Sequence, residues 1–250
     1  MYAQAPPSDL ELFDIAKNIS NPFANQTQIP LSWTQVNGLG VNQAGSAHSI
    51  EFQPVIPVDL GSLVNLTLRP AISLISNSNV NGFSGTGIGG VQLQTYFSPR
   101  YRKEDSEYWG IGPYISAPAG TSGNFGSQQT GLGLSGGYVK DIGPWNIGVF
   151  LNQSWSVGGN ASSGTANFIN AAPFVAYVAS NGWAYSTYLQ PTYNYDAHNT
   201  NSVVYANISK TINSDDLPIT FSIGPQYNLS PVQGGPHGWG MNFGVNLTMK

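Results

Sequence analysis

The chain has no cysteine, no long apolar run and very little charge, and each shortage excludes a class of protein. Without cysteine there can be no disulfide, no thiolate nucleophile and no cysteine-based metal site. No stretch approaches the roughly 18 consecutive apolar residues that a membrane-spanning helix needs. Charged residues make up 8% of the chain, against about 25% in an ordinary soluble domain. Only 8 residues are Lys or Arg and the net charge is −4, so there is no basic footprint and nucleic acid is not an expected partner. Low charge also marks disorder, but disordered chains lack aromatic residues. Here aromatics reach 12%, with 13 Tyr and 6 Trp.

What the chain does have is a period of two. From about residue 27 onward apolar residues alternate with small polar ones, so each extended segment has one apolar and one polar face. Leu66, Leu68, Pro70, Ile72 and Leu74 interleave with Asn65, Thr67, Arg69, Ala71 and Ser73. Ile219, Phe221, Ile223, Pro225, Tyr227 and Leu229 do the same, as do Trp239, Met241, Phe243, Val245, Leu247 and Met249. This pattern predicts about twelve strands, near 28–37, 48–58, 63–75, 87–98, 107–117, 130–140, 145–157, 166–179, 183–196, 202–212, 217–229 and 238–249. At about 10–14 residues they match tilted membrane-spanning strands of roughly 9–11 residues better than globular strands of about 5–6.

The connections sort into two kinds. Residues 38–47, 76–86, 118–129, 158–165, 197–201 and 230–237 alternate with shorter links at 59–62, 99–106, 141–144, 180–182 and 213–216. Bacterial barrels have long extracellular loops and short periplasmic turns on an even number of strands, whereas a soluble sandwich has no reason to sort its loops. Charge follows the same division. Asp59, Arg100, Arg102, Lys103, Glu104, Asp105, Glu107, Lys140, Asp141, Asp215 and Asp216 fall at or beside the short links. Glu51, Arg69, Asp196 and Lys210 are left within strands. Tyr108, Trp109, Trp145 and Trp183 on the short side, with Trp155 and Trp239 on the long side, read as aromatic girdles. The expected fold is therefore an all-β transmembrane antiparallel up-and-down barrel (residues 27–250), preceded by an N-terminal periplasmic or plug segment (residues 1–26). Met1-Tyr2-Ala3-Gln4 reads as a start residue placed before an A-x-A-type remnant, so an exported bacterial outer-membrane protein with its signal removed is expected.

Six segments carry proline flanked by apolar residues two positions away, at Pro54, Pro70, Pro113, Pro173, Pro191 and Pro225. Proline removes a ladder donor, so a lipid-side belt that bends the wall through bulges is one expectation and simple tolerance is the other. Within residues 8–19, Ser8 and Glu11 form a capping box, and Leu12, Ile15, Ala16 and Ile19 share one helical face. That short helix could plug the lumen or lie at the periplasmic mouth.

With this strand map, several local motifs resemble a bacterial outer-membrane family tied to meta-pathway phenol degradation. They are Asn21-Pro22-Phe23-Ala24 with Ile29-Pro30, Gln53-Pro54-Val55-Ile56-Pro57, Trp109-Gly110-Ile111-Gly112-Pro113, Gly143-Pro144-Trp145, Asn152-Gln153-Ser154-Trp155-Ser156 and Asn181-Gly182-Trp183. The resemblance spans roughly residues 21–250 and implies a barrel with an uptake role more strongly than any one substrate. Met249-Lys250 departs from the aromatic ending common in barrels and leaves Phe243 as the nearest ring. Weaker recognition by the barrel insertion machinery is expected from it.

No catalytic constellation stands out. His48, His198 and His237 map to the long-loop rim without ligand spacing, so exposed loop histidines are the simpler reading beside a metal site or pH sensor. Barrel hydrolases place His and Ser two apart on one strand face, whereas His48 and Ser49 are adjacent. No strand–glycine loop–helix arrangement offers a phosphate cradle, and no cofactor is expected. Glu51 and Arg69 lie equally far from residue 60, so they are expected to pair directly across neighbouring strands, as a structural wall pair or a selectivity element. Gln53, Gln94, Tyr188, Gln190, Gln226 and Asn242 would join them in lining the lumen. The expected function is passive or facilitated diffusion of small, uncharged or aromatic solutes through outer-membrane lipid. The alternative is a closed-lumen structural or adhesive barrel.

Overall fold

The computed structural model describes residues 9–102, 105–118, 122–160, 166–214, 217–229 and 232–249. Ser8, with its capping role, and the charges of Lys103, Glu104, Asp215 and Asp216 lie outside the described residues. One helix, α1 (Asp9–Ile19), comes first. The strands are β1 (Thr27–Leu39), β2 (Gly45–Phe52), β3 (Ile56–Asp59), β4 (Val64–Val80), β5 (Phe83–Pro99), β6 (Glu107–Ala117), β7 (Gln129–Ile142), β8 (Trp145–Gly159), β9 (Phe168–Val178), β10 (Trp183–Asn194), β11 (Asn199–Ser214), β12 (Leu217–Asn228) and β13 (Gly238–Met249).

Consecutive strands pair antiparallel, except that β2 and β3 do not pair with each other, and the ladder closes where β1 meets β13, from Thr27↔Met249 to Gln35↔Met241. The strand expected at 48–58 is split into β2 and β3, which share one stave because both pair with β4. The result is a closed barrel of twelve staves. Closure follows from the alternation: each strand carries an apolar face but leaves one ladder edge open on either side, and only a ring removes all edges.

Burial is inverted relative to a soluble protein. Along β8, Asn146 and Ser154 are 0% exposed, while Trp145, Ile147, Leu151 and Trp155 stand out from the wall, Trp155 at 50%. The small polar residues point inward and the apolar ones form a band around the outside, the arrangement a bilayer demands. Trp109, Trp145, Trp183, Trp155 and Trp239 are all outward and exposed. Tyr108 does not belong to that girdle. Its parity in β6 is opposite to that of Trp109, and it packs inward against Tyr101, with ring centroids 4.8 Å apart.

Two further expectations are corrected. The loop expected at 76–86 is strand: β4 and β5 continue as a protruding hairpin closed by Asn81 (φ 53°) and Gly82 (φ 81°). Two positive φ values in an Asn-Gly pair are the turn that matches strand twist, a signal that the loop-length sorting overrode. Asp196 sits in the turn after β10 rather than within a strand.

The bulges expected at the prolines are also absent among the described residues. Register shifts occur instead at Asn37/Leu39, Ile72/Leu74, Asn77/Val80 and Thr130/Gly131. Each proline borders an in-register gap in one ladder. Pairing skips from Phe52↔Ile72 to Ile56↔Leu68 past Pro54 and Pro70, and from Gln94↔Tyr114 to Phe97↔Ile111 past Pro113. It skips from Tyr188↔Phe174 to Thr192↔Asn170 past Pro173 and Pro191, and from Tyr205↔Gln226 to Ile208↔Ile223 past Pro225. A missing N–H removes bonds without displacing the chain, and at Pro113 the carbonyl still accepts from Thr95 Oγ1 at 2.7 Å.

The outward face tests the orientation of the wall. Leu151→Arg, halfway along β8, is expected to destabilise the barrel by about 2–4 kcal/mol. Ala172→Ser on the inner face should change stability by less than about 0.5 kcal/mol. Urea unfolding in liposomes measures both.

Candidate functional site

The lumen is built by the inward residues of the staves and by the segment that precedes them. Ala16 of α1 packs on Val178 and Ala184, both inward, with Phe13 beside them. Lys17 Nζ donates to Gly143 O at 2.8 Å and sits 3.3 Å from Asp141 Oδ2. Asn146 Nδ2 donates to Lys17 O at 2.8 Å and to Ser20 Oγ at 2.7 Å. Gln28 Nε2 reaches Asn18 O at 3.1 Å. Helix and following turn are therefore bonded to the inner wall near the short links, where all three ion pairs among the described residues lie: Lys17–Asp141, Arg100–Asp59 and Lys140–Glu107.

Residues 18–23 divide the interior. On the short-link side, Asn18, Asn21 and Phe23 line a vestibule of about 490 Å³ with Tyr101, Tyr108 and Asp141. Burial pushes the Tyr101 phenol above its usual range, although its hydroxyl donates to Trp109 O at 2.7 Å. On the other side, Ile19, Ser20 and Pro22 face a cavity of about 360 Å³. This cavity shares Ser20, Gln53, Arg69, Phe150 and Ser186 with a central cavity of about 420 Å³. Gln92 lines both the central cavity and a smaller one of about 280 Å³ beneath the long loops.

Six of the eight residues expected to line the lumen border the central cavity: Glu51, Gln53, Arg69, Gln94, Tyr188 and Gln190. Gln226 and Asn242 are buried on the inner face of β12 and β13 but do not border it. Gln226 lies across the ladder from Tyr205, and Asn242 Nδ2 donates to Gly224 O at 3.0 Å.

Glu51 and Arg69 do not pair directly. Asp59 faces Asn65, so the hairpin centres later than residue 60; Glu51 faces Ser73 and Arg69 faces Gln94. Arg69 instead donates through Nη2 to Gln53 Oε1 at 2.9 Å. Both charges nevertheless border the same cavity, and they are the only formally charged side chains among the described residues that do.

An aromatic cluster, which the sequence reading missed, fills the inner wall beside Arg69. The guanidinium lies over the Phe150 ring at 5.8 Å. Phe150 stacks on Phe174 with centroids 5.7 Å apart and planes 1° from parallel. Phe23 and Tyr96 close the group from below, edge to face at 5.6 Å. The signal was available: Phe150, Phe174 and Tyr96 stand in the polar phase of their strands, where bulk is unexpected. Glycines make room for them. A Cβ on Gly148 would lie 2.6 Å from Phe174 Cε1, and one on Gly137 2.7 Å from Phe150 Cδ1.

His48 lies outward, stacked on Trp33 at 5.5 Å, while its neighbour Ser49 faces Thr34 on the inner surface. No group of three or more potential metal ligands occurs among the described residues.

Gly148→Val should be destabilising by about 1–3 kcal/mol. The added carbon would also lie 2.6 Å from the Tyr138 carbonyl oxygen, which cannot rotate away. The midpoint of the heat-modifiable gel shift reads this.

No protein-family model and no curated protein matches the chain. Among solved structures it is similar to an outer membrane channel from Pseudomonas putida F1, with a TM-score of 0.70 and 15% identity over 90% of this chain and 96% of that one. The KdgM porin gives 0.49 at 8% identity, over 89% and 99% of the two chains. Outer membrane phospholipase A from Escherichia coli gives 0.48 at 12%, over 97% and 98%. With a closed ladder, an outward apolar band and the fold of an outer membrane channel, this chain is a bacterial outer-membrane β-barrel.

Proposed function

We propose that the barrel is a narrow channel for the passive or facilitated diffusion of small, uncharged or aromatic solutes. The observation that carries this reading is the lumen itself. A barrel of twelve staves is wider than the roughly eight-strand size that side chains fill, and here they leave adjoining cavities from the long-loop side down to residues 18–23. The central cavity offers neutral hydrogen-bonding groups and one aromatic stack, with a single charge of each sign. Such a surface favours rings and hydrogen-bonding groups over ions. The resemblance of several segments to the meta-pathway phenol family supports aromatic cargo, and the likeness to an outer membrane channel supports transport.

Residues 9–26 act in this reading as the periplasmic plug, latched by Lys17 to Asp141 and Gly143. The outward His48 and inward Ser49 cannot act on one substrate, which supports a transporter over a barrel hydrolase. Assembly would pass through the barrel insertion machinery, as for other barrels of this membrane.

Purified protein in planar bilayers is expected to give discrete conductance steps. Lys17→Ala should enlarge them or raise their open fraction by freeing the latch. Complete absence of steps, in the parent and in Lys17→Ala alike, would return the chain to a closed structural or adhesive barrel.

A further inference from the structure

Resting on the lumen that the channel reading uses, we infer that the central cavity is a binding site for a small aromatic zwitterion, a ring bearing both an ammonium and a carboxylate. The charges come first. Arg69 has no ion-pair partner among the described residues, and its Nε is buried without a hydrogen-bond partner. Glu51 likewise makes no hydrogen bond or ion pair with the described residues. The described ion pairs lie at the short-link end, so these two charges face each other's field across the cavity without either being in contact with an opposite charge.

Their spacing selects the ligand. Arg69 Nη2 is held 2.9 Å from the Gln53 carboxamide. Gln53, just past the end of β2, and Glu51 are two residues apart, about 7 Å between Cα atoms of an extended chain. That span suits a carboxylate and an ammonium on one carbon, each meeting its partner through a charge-assisted bond of about 2.8 Å. A simple aromatic anion would bring a second negative charge near Glu51, and an aromatic amine a second positive charge near Arg69. Either would leave one half-buried charge without a bonded partner, which is less favourable than engaging both. A neutral ring leaves both unmet.

The ring has a place as well. Phe150 and Phe174 present a parallel stack to the same cavity. Tyr188, stacked on Tyr205 at 4.3 Å, borders it too. At about 420 Å³ the volume lies within the range of small-ligand sites, roughly 300–1,000 Å³.

Isothermal titration calorimetry on the full chain in detergent tests this with phenylalanine, benzoate, benzylamine and benzyl alcohol. Phenylalanine is expected to bind most tightly. Arg69→Gln and Glu51→Gln should each weaken it by about ten-fold or more, and Glu51→Gln should not weaken benzoate. Phenylalanine binding no tighter than benzoate or benzyl alcohol in the parent protein would overturn the site without any variant. So would phenylalanine affinity that both variants preserve. Circular dichroism and the heat-modifiable gel shift establish that each variant is folded. Calorimetry reads binding without transport, so the two readings fail separately. Conductance without preferential phenylalanine binding removes only this site, and binding without conductance removes only the channel.

Discussion

A bilayer core offers no water to backbone groups, so every N–H and C=O in the wall must find its partner within the chain. The closure of β1 on β13 answers that demand, and the rest of the molecule is arranged around it. Because the wall must be strand, side chains alternate between lipid and lumen. Because the lumen is sealed from lipid, the small polar residues collect there and bond to one another. Thr211 and Thr220, both almost fully buried, share a hydroxyl contact of 2.8 Å. The six prolines show the tolerance of the scheme. Each lacks one donor and leaves a gap in one ladder, yet at five of them, all but Pro54, the opposite ladder runs past in register.

A ring this wide creates a second problem, the space inside. The chain fills part of it with its own N-terminal segment and with aromatic rings seated against glycine backbone. Phe23 carries the two solutions into one cluster with Tyr96, Phe150 and Val139. What is left over is not a uniform pore. It is a set of adjoining cavities, of which the central one holds two opposite charges that form no ion-pair contact. Filling and passage compete here. The rings that narrow the lumen also supply its apolar surface.

Much of the fold was legible because a period of two is a local property. Each of the twelve expected segments became a stave, and the described charges Asp59, Arg100, Glu107, Lys140 and Asp141 sit at or beside the short links. The misses have physical causes. The strand at 48–58 reads as continuous, yet Pro54 and Pro70 face each other across the ladder and open it. The hairpin at Asn81-Gly82 carried its own turn signal, but its polar strand tips look like loop in composition because they rise beyond the apolar band. Tyr108 was assigned by its distance from a turn, although parity points it inward.

The sequence by itself determined which residues face lipid and which face the lumen, since alternation needs no knowledge of distant contacts. It also determined that the wall must close, since no segment could cross a membrane otherwise. Only the tertiary structure decided what meets across the interior. Glu51 and Arg69 share a cavity without facing each other, because pairing around a ring depends on every register between them. Arg69 finds Gln53 and Phe150, and Phe23 reaches Tyr96, from parts of the chain that no local spacing connects.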